Sequence, residues 1–174
     1  MRRSLRLHPN SLGAAATRIE VDVARPRPGS LILSYGVSGK ISDLRLPPVA
    51  AAAGADELWR HTCFEAFVRP SASPAYYEFN FSPSTQWAAY RFDRYRSGMR
   101  VVAEIGAPRI EVRSDEATFT LQAALELDGL SSHLHLGLSA VLEETNGRKS
   151  YWALAHPPGK ADFHHADCFA LELS

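Results

Sequence analysis

The chain is poor in cysteine and methionine, with two of each in 174 residues. Two cysteines cannot supply the disulfide framework on which small secreted domains depend. Cys63 and Cys168 are therefore expected to be reduced, buried thiols of a cytoplasmic protein. A surplus of charge is missing as well: Lys+Arg and Asp+Glu both number 19, so the formal net charge is zero. Nucleic-acid binders draw affinity from neutralising phosphates with a basic excess, so no nucleic-acid partner is expected. Long apolar runs are absent. The most apolar stretch, Pro47 to Ala55, is alanine-rich and far below the roughly 18 residues a membrane helix needs, so no membrane partner is expected. Arg2, Arg3 and Arg6 resemble a signal n-region, but Pro9-Asn10 follows where an apolar segment should be, so no secretory signal is expected. No GxSxG, HExxH or paired CxxC occurs, and no long amphipathic helical pattern is evident.

What is there is strand-like alternation in short runs. Phe119, Leu121, Ala123, Leu125 and Leu127 alternate with polar neighbours, as do Leu134 to Leu142 and Tyr77, Phe79 and Phe81. Further strands are expected over Thr17–Val23, Ser30–Val37, Cys63–Arg69, Trp87–Tyr95, Arg109–Arg113, Ser150–His156 and Cys168–Leu173. Turn chemistry separates them. Pro26-Arg27-Pro28-Gly29, Ser82-Pro83-Ser84 and Asp128-Gly129 punctuate the runs, and Asn146-Gly147 is a strong hairpin signal. Asp56–Trp59 reads as a short helical turn. About ten short strands with little helix predict an all-β antiparallel sandwich with immunoglobulin-like or jelly-roll-like layers, in one domain over 1–174. A closed barrel is the alternative.

Two segments hold most of the polar and aromatic side chains. The first runs from Glu57 to Tyr95. If its strands pair, Glu65 shares a sheet face with Glu78 and Asn80, either as a solvated outer face or as a binding row. The second runs from Lys149 to Asp167 and contains His156, Lys160, His164 and His165. Trp59 and Trp152 lie at or beside loops and are the better candidates for stacking on a ligand, whereas Trp87 reads as core. Adjacent His164 and His165 point opposite ways on an extended segment, which disfavours one ion bound by both. Haem ligation through Met and His would have to use Met99, the sole internal methionine. Cys63 and His61 would share a strand face without necessarily touching, so a nucleophilic Cys–His pair is not expected, and no residue is assigned to a metal.

Leu58-Trp59-Arg60-His61-Thr62-Cys63-Phe64-Glu65-Ala66-Phe67 resembles a signature of bacterial DOMON-like domain proteins. So do Tyr77 to Tyr90, Arg94 to Met99, and Tyr151 to Lys160 with Asp162-Phe163-His164-His165. The wider superfamily includes DOMON domains that bind haem or sugars and family 9 carbohydrate-binding modules. The resemblance implies a ligand-binding β-sandwich. The resulting expectation is a non-enzymatic protein whose partner is a small molecule, first a carbohydrate, with no cofactor. Its cleft is lined by Trp59, Arg60, His61, Glu65, Glu78 and Asn80 and closed by Trp152, His156, Lys160, His164 and His165. Two alternatives stand beside it. One is a metal- or haem-binding protein using His61, His156, His164 or His165, and the other a glycoside hydrolase using Glu65 and Glu78.

Overall fold

The computed structural model describes residues 1–102, 105–130 and 133–174. Thirteen strands occur among them: β1 Arg2–Ser4, β2 Arg6–Leu7, β3 Ala16–Ala24, β4 Ser30–Gly39, β5 Cys63–Pro70, β6 Tyr76–Phe81, β7 Trp87–Phe92, β8 Arg100–Val101, β9 Arg109–Ser114, β10 Thr118–Glu126, β11 Leu134–Glu143, β12 Lys149–Ala153 and β13 Leu171–Leu173. Helix is confined to three single 3-10 turns, at Ile41–Asp43, Leu58–Arg60 and Ala166–Cys168. No helix of the described residues is long and apolar enough to cross a membrane. A five-stranded sheet runs β1-β3-β4-β10-β9. An eight-stranded sheet runs β2-β12-β11-β5-β6-β7-β8, with β13 also on β11. All strand pairs within both sheets are antiparallel. The expected antiparallel β-sandwich is what forms.

The alternating runs explain the layers. In β10 the residues Phe119, Leu121, Ala123 and Leu125 are buried, and those between them are partly or fully exposed. Side chains at every second position share one sheet face, so this row meets the other sheet. From the eight-stranded sheet come Phe64, Phe79, Phe81, Leu136 and Leu138. Phe64 stacks on Phe119 at 5.8 Å and leans on Tyr35 at 5.2 Å, tying the sheets together ring to ring. Asn146-Gly147 does close the β11–β12 hairpin, with Gly147 at φ 83 and Glu144 N–H donating to the Arg148 carbonyl at 2.8 Å.

Three expectations change. The N-terminal arginines form strands: β1 pairs with β3 and β2 with β12. The expected Trp87–Tyr95 strand stops at Phe92, and the Cys168–Leu173 strand starts at Leu171 because Ala166–Cys168 turns into a 3-10 coil. Most consequential, the eight-stranded sheet is buried on both faces. β5, β6 and β11 each show runs of consecutive buried residues where one polar face was expected. The β12–β13 connection covers the outer face. It brings Phe169 against Phe67, and the Cys168 carbonyl would stand 3.1 Å from a Cβ at Gly137, so a side chain there would crowd the approach.

One bond links the core to that outer face. The buried Tyr35 hydroxyl on β4 donates to the Glu65 carbonyl on β5 at 2.7 Å. Tyr35→Phe removes this buried hydrogen bond and leaves the ring in place. Urea denaturation should show a loss of about 0.5–1.5 kcal/mol, and an unchanged midpoint would dismiss the bond as structurally idle.

Candidate functional site

The outer face of the eight-stranded sheet is the floor of an open cavity of about 610 Å³. Glu65 and Phe67 from β5, Glu78 from β6, Tyr90 and Phe92 from β7, and Lys149 and Tyr151 from β12 point into it. Three connections raise its walls. Asp56, Glu57 and Trp59 come from the turn before β5, Arg96 and Met99 from the β7–β8 turn, and Phe163 and His164 from the β12–β13 connection.

Local chemistry holds these walls. Glu57 sits in the left-handed region at φ 57, where its amide donates to Asp56 Oδ1 at 2.8 Å and its carboxylate meets Arg60 at 2.7 Å. Non-glycine residues rarely adopt that backbone, and such strain concentrates at binding sites. Tyr90 donates its hydroxyl to Asp56 and so pins the turn to β7. On the opposite side Asp162 gathers three donors: Arg96 at 2.7 Å, the Tyr95 hydroxyl at 2.5 Å and the His164 amide at 3.2 Å. That knot fixes the β7–β8 turn against the β12–β13 connection. Gly98 sits at φ 70, a left-handed backbone that glycine adopts without strain, with the Asp93 side chain packed against it.

The floor is polar but short of donors. Glu65, Glu78 and Asn80 are 3%, 6% and 0% exposed. Ser139 Oγ donates to Glu65 Oε2 at 3.2 Å, and Asn80 Nδ2 donates to Glu78 Oε1 at 2.9 Å. Asn80 Oδ1 has no partner. His164 Nδ1 lies 2.8 Å from the Tyr76 hydroxyl, and its Nε2 stands 3.6 Å from Glu78 Oε2. Burial, then the Glu78 charge, pushes the Glu65 carboxyl up to about 8. Burial also raises Glu78, against the opposing pull of Asn80 and Arg96. His164 is pushed down to about 4, by burial first and by Arg96 second, so it is neutral near pH 7.

Four of the residues expected in the cleft line it: Trp59, Glu65, Glu78 and His164. Asn80 lies one layer back, turned onto Glu78. The others stand elsewhere. Trp152 is a correction: it is 5% exposed in the main core, its indole N–H on Ser150 Oγ at 3.0 Å, and its neighbour Tyr151 faces the cavity instead. His156 binds the Arg6 carbonyl at 2.8 Å and packs edge-on against His8. His61 is committed to Glu143 at 2.7 Å, and Arg60 to Glu57. His165 caps the last 3-10 turn by accepting from the Asp167 amide and lines a neighbouring cavity of about 450 Å³. Lys160 is exposed and lines neither cavity. Among the described residues no three His, Cys, Asp or Glu side chains converge as metal ligands. Cys63 and Cys168 are free and buried.

Several lining residues escaped the sequence reading. Phe67 and Phe92 look like ordinary strand core, and Lys149 and Arg96 like surface charge. The signal that could have found the first two was phase: Phe67 sits two residues after Glu65 and Phe92 two after Tyr90, on the same faces. Nothing local marks Arg96 except a motif it shares with Gly98.

These shifts set a pH dependence. A raised carboxyl stabilises the fold below its unfolded value near 4.5, and the contribution is lost as pH rises through about 8. His164, depressed from 6.5, contributes above 6.5 and loses it as pH falls through about 4. The two oppose each other at acid pH, and only the carboxyls act above it. Melting temperature should therefore fall between pH 6.5 and 8.5, and Glu65→Gln should flatten that fall. An equally steep fall in Glu65→Gln would assign it to other groups.

No known family model matches the chain, and no curated protein matches it. Solved structures do. One is described as a putative carbohydrate-binding protein from Bacteroides uniformis ATCC 8492. It is 11% identical over 97% of this chain and 83% of its own, with a TM-score of 0.68. Another is a family 9 carbohydrate-binding module from Caldicellulosiruptor kristjanssonii in complex with glucose. It too is 11% identical, over 89% of this chain and 75% of its own, with a TM-score of 0.51. At these identities the likeness is one of fold: the chain folds like a carbohydrate-binding module.

Proposed function

We propose that the protein binds a carbohydrate, without turning it over, on the outer face of its eight-stranded sheet. The observation that carries this reading is the floor itself. Carboxyl and amide oxygens with few donors of their own sit within a ring of Trp59, Phe67, Tyr90, Phe92, Tyr151 and Phe163. A sugar offers hydroxyl donors along its edge and C–H faces above and below, so it matches both parts. The two structural neighbours, one named for carbohydrate binding and one holding glucose, support the reading at the level of fold. The two free thiols support a cytoplasmic setting.

A hydrolytic reading has one observation in its favour. Glu65 pairs with Asn80 in register, so Glu78 is its diagonal neighbour on the same face and both carboxyls turn to one cleft. Glycosidases likewise work with two carboxyls facing one cleft, one as acid and one as base or nucleophile. Release of nitrophenol from aryl glycosides, abolished by Glu65→Gln, would establish this reading over simple binding.

Isothermal titration with glucose and cellobiose tests the main proposal. Trp59, 48% exposed at the rim, should contribute by stacking, and Trp59→Ala should weaken binding about 3–10-fold. Lys160→Ala should leave affinity unchanged. Wild-type protein that binds no mono- or disaccharide, or Trp59→Ala without effect, would count against the cleft as a sugar site.

A further inference from the structure

We propose that the ligand of this cleft carries an ammonium group, seated on the floor between Glu65 and Glu78, so that an amino sugar fits where a neutral sugar fits only in part. The proposal rests on the cleft being a ligand site and narrows the class of ligand.

Charge pairing leads to it. The cations near the floor bond elsewhere, the arginines to carboxylates and Lys149 to a backbone carbonyl. Arg96 is bound to Asp162 at 2.7 Å, Arg60 to Glu57 at 2.7 Å, and the Lys149 ammonium donates to the Arg60 carbonyl at 2.5 Å. His164 is neutral and too far from Glu78, at 3.6 Å, for a normal hydrogen bond. Glu65 and Glu78 thus stand nine-tenths buried with no Lys or Arg in contact, Arg96 acting on Glu78 only from a distance. Carboxylates taken from water are costly unless paired, so Glu65 holds its proton until a cation meets it.

Hydrogen-bond supply points the same way. The floor presents the oxygens of Glu65, Glu78 and Asn80 and, besides the proton on Glu65, receives from the protein one Ser139 hydroxyl and one Asn80 amide. Asn80 Oδ1 is buried and unpartnered. An ammonium has three donors and no acceptor, and its charge matches the floor. A hydroxyl has one donor and brings an acceptor into a place already crowded with them. Phe67, Tyr90 and Phe92 stand around the same carboxyls, and aromatic faces attract a cation. A bare divalent ion fits poorly, because two carboxyls fall short of the six or more oxygens calcium takes.

Proton balance follows. On binding, the Glu65 carboxyl gives its proton to solvent and the ammonium keeps its own, leaving a carboxylate–ammonium pair. The titratable groups facing Glu65 are Glu78 from β6, Cys63 on its own strand and Tyr35 beneath it; Asp56, Glu57, Arg96, Lys149 and His164 stand at the walls.

Calorimetric titration of the full chain at pH 7 with glucose, glucosamine, N-acetylglucosamine and methylamine tests this, in two buffers of different ionisation enthalpy. Glucosamine should bind at least tenfold tighter than glucose and release protons. N-acetylglucosamine, whose nitrogen is uncharged, should lose the gain. Glu65→Gln and Glu78→Gln should each bring the glucosamine-to-glucose ratio towards one, with melting curves checking that each variant folds. Equal binding of glucose and glucosamine would overturn the ammonium while leaving the sugar reading intact. Methylamine binding without either sugar would keep the ammonium and remove the sugar. No binding by any of the four would overturn both.

Discussion

Two carboxyl groups removed from water on a covered sheet face are the constraint around which the rest of the molecule is arranged. Glu65 and Glu78 occupy strand positions that an ordinary sandwich would leave to solvent. Here the β12–β13 connection folds over them, and the other two wall segments close around. Burial of a carboxyl costs free energy, and the structure meets it in three ways: one hydroxyl from Ser139, one amide from Asn80, and retention of a proton on Glu65. None of these neutralises the floor completely. The remaining deficit is what makes it a place for a ligand rather than a second core.

The two sheets divide the work. The five-stranded sheet is conventional, with one face in the core and the other in water. It backs the eight-stranded sheet through rings such as Phe119 and through the Tyr35 hydroxyl, which reaches the backbone of the strand that carries Glu65. The eight-stranded sheet is therefore supported from beneath and free to be sculpted above. Asp162 and Asp56 do that sculpting, each fixing a turn by accepting from residues on a neighbouring wall. Charges at the rim are spent on building the site, and those at the floor are left for whatever enters it.

Much of the fold was legible in the sequence because it follows from period. Alternation in β10 and β6 demanded strands, and the Asn146-Gly147 pair demanded a hairpin. The side-by-side placement of Glu65 and Glu78 followed from strand pairing alone. Phase was harder. Tyr151 and Trp152 are both aromatic and adjacent, so one must face the core and the other the cleft. The pairing of Tyr151 with Val141 sends Trp152 inward, the reverse of what its place beside a loop implied. His164 and His165 divide in the same manner, one into the cavity and one out of it.

By itself the sequence determined a neutral, strand-rich chain, its turns, and the presence of carboxylates, aromatics and histidines in two segments far apart along it. Those are local properties, set by side-chain volume, polarity and period. Only the tertiary structure decided that the segments meet, that the carboxyl face lies under cover rather than in water, and that the arginines bond acids in the walls while the floor carboxyls have no Lys or Arg in contact. Burial and long-range pairing cause all three, and both depend on which distant backbone comes to lie over a given face.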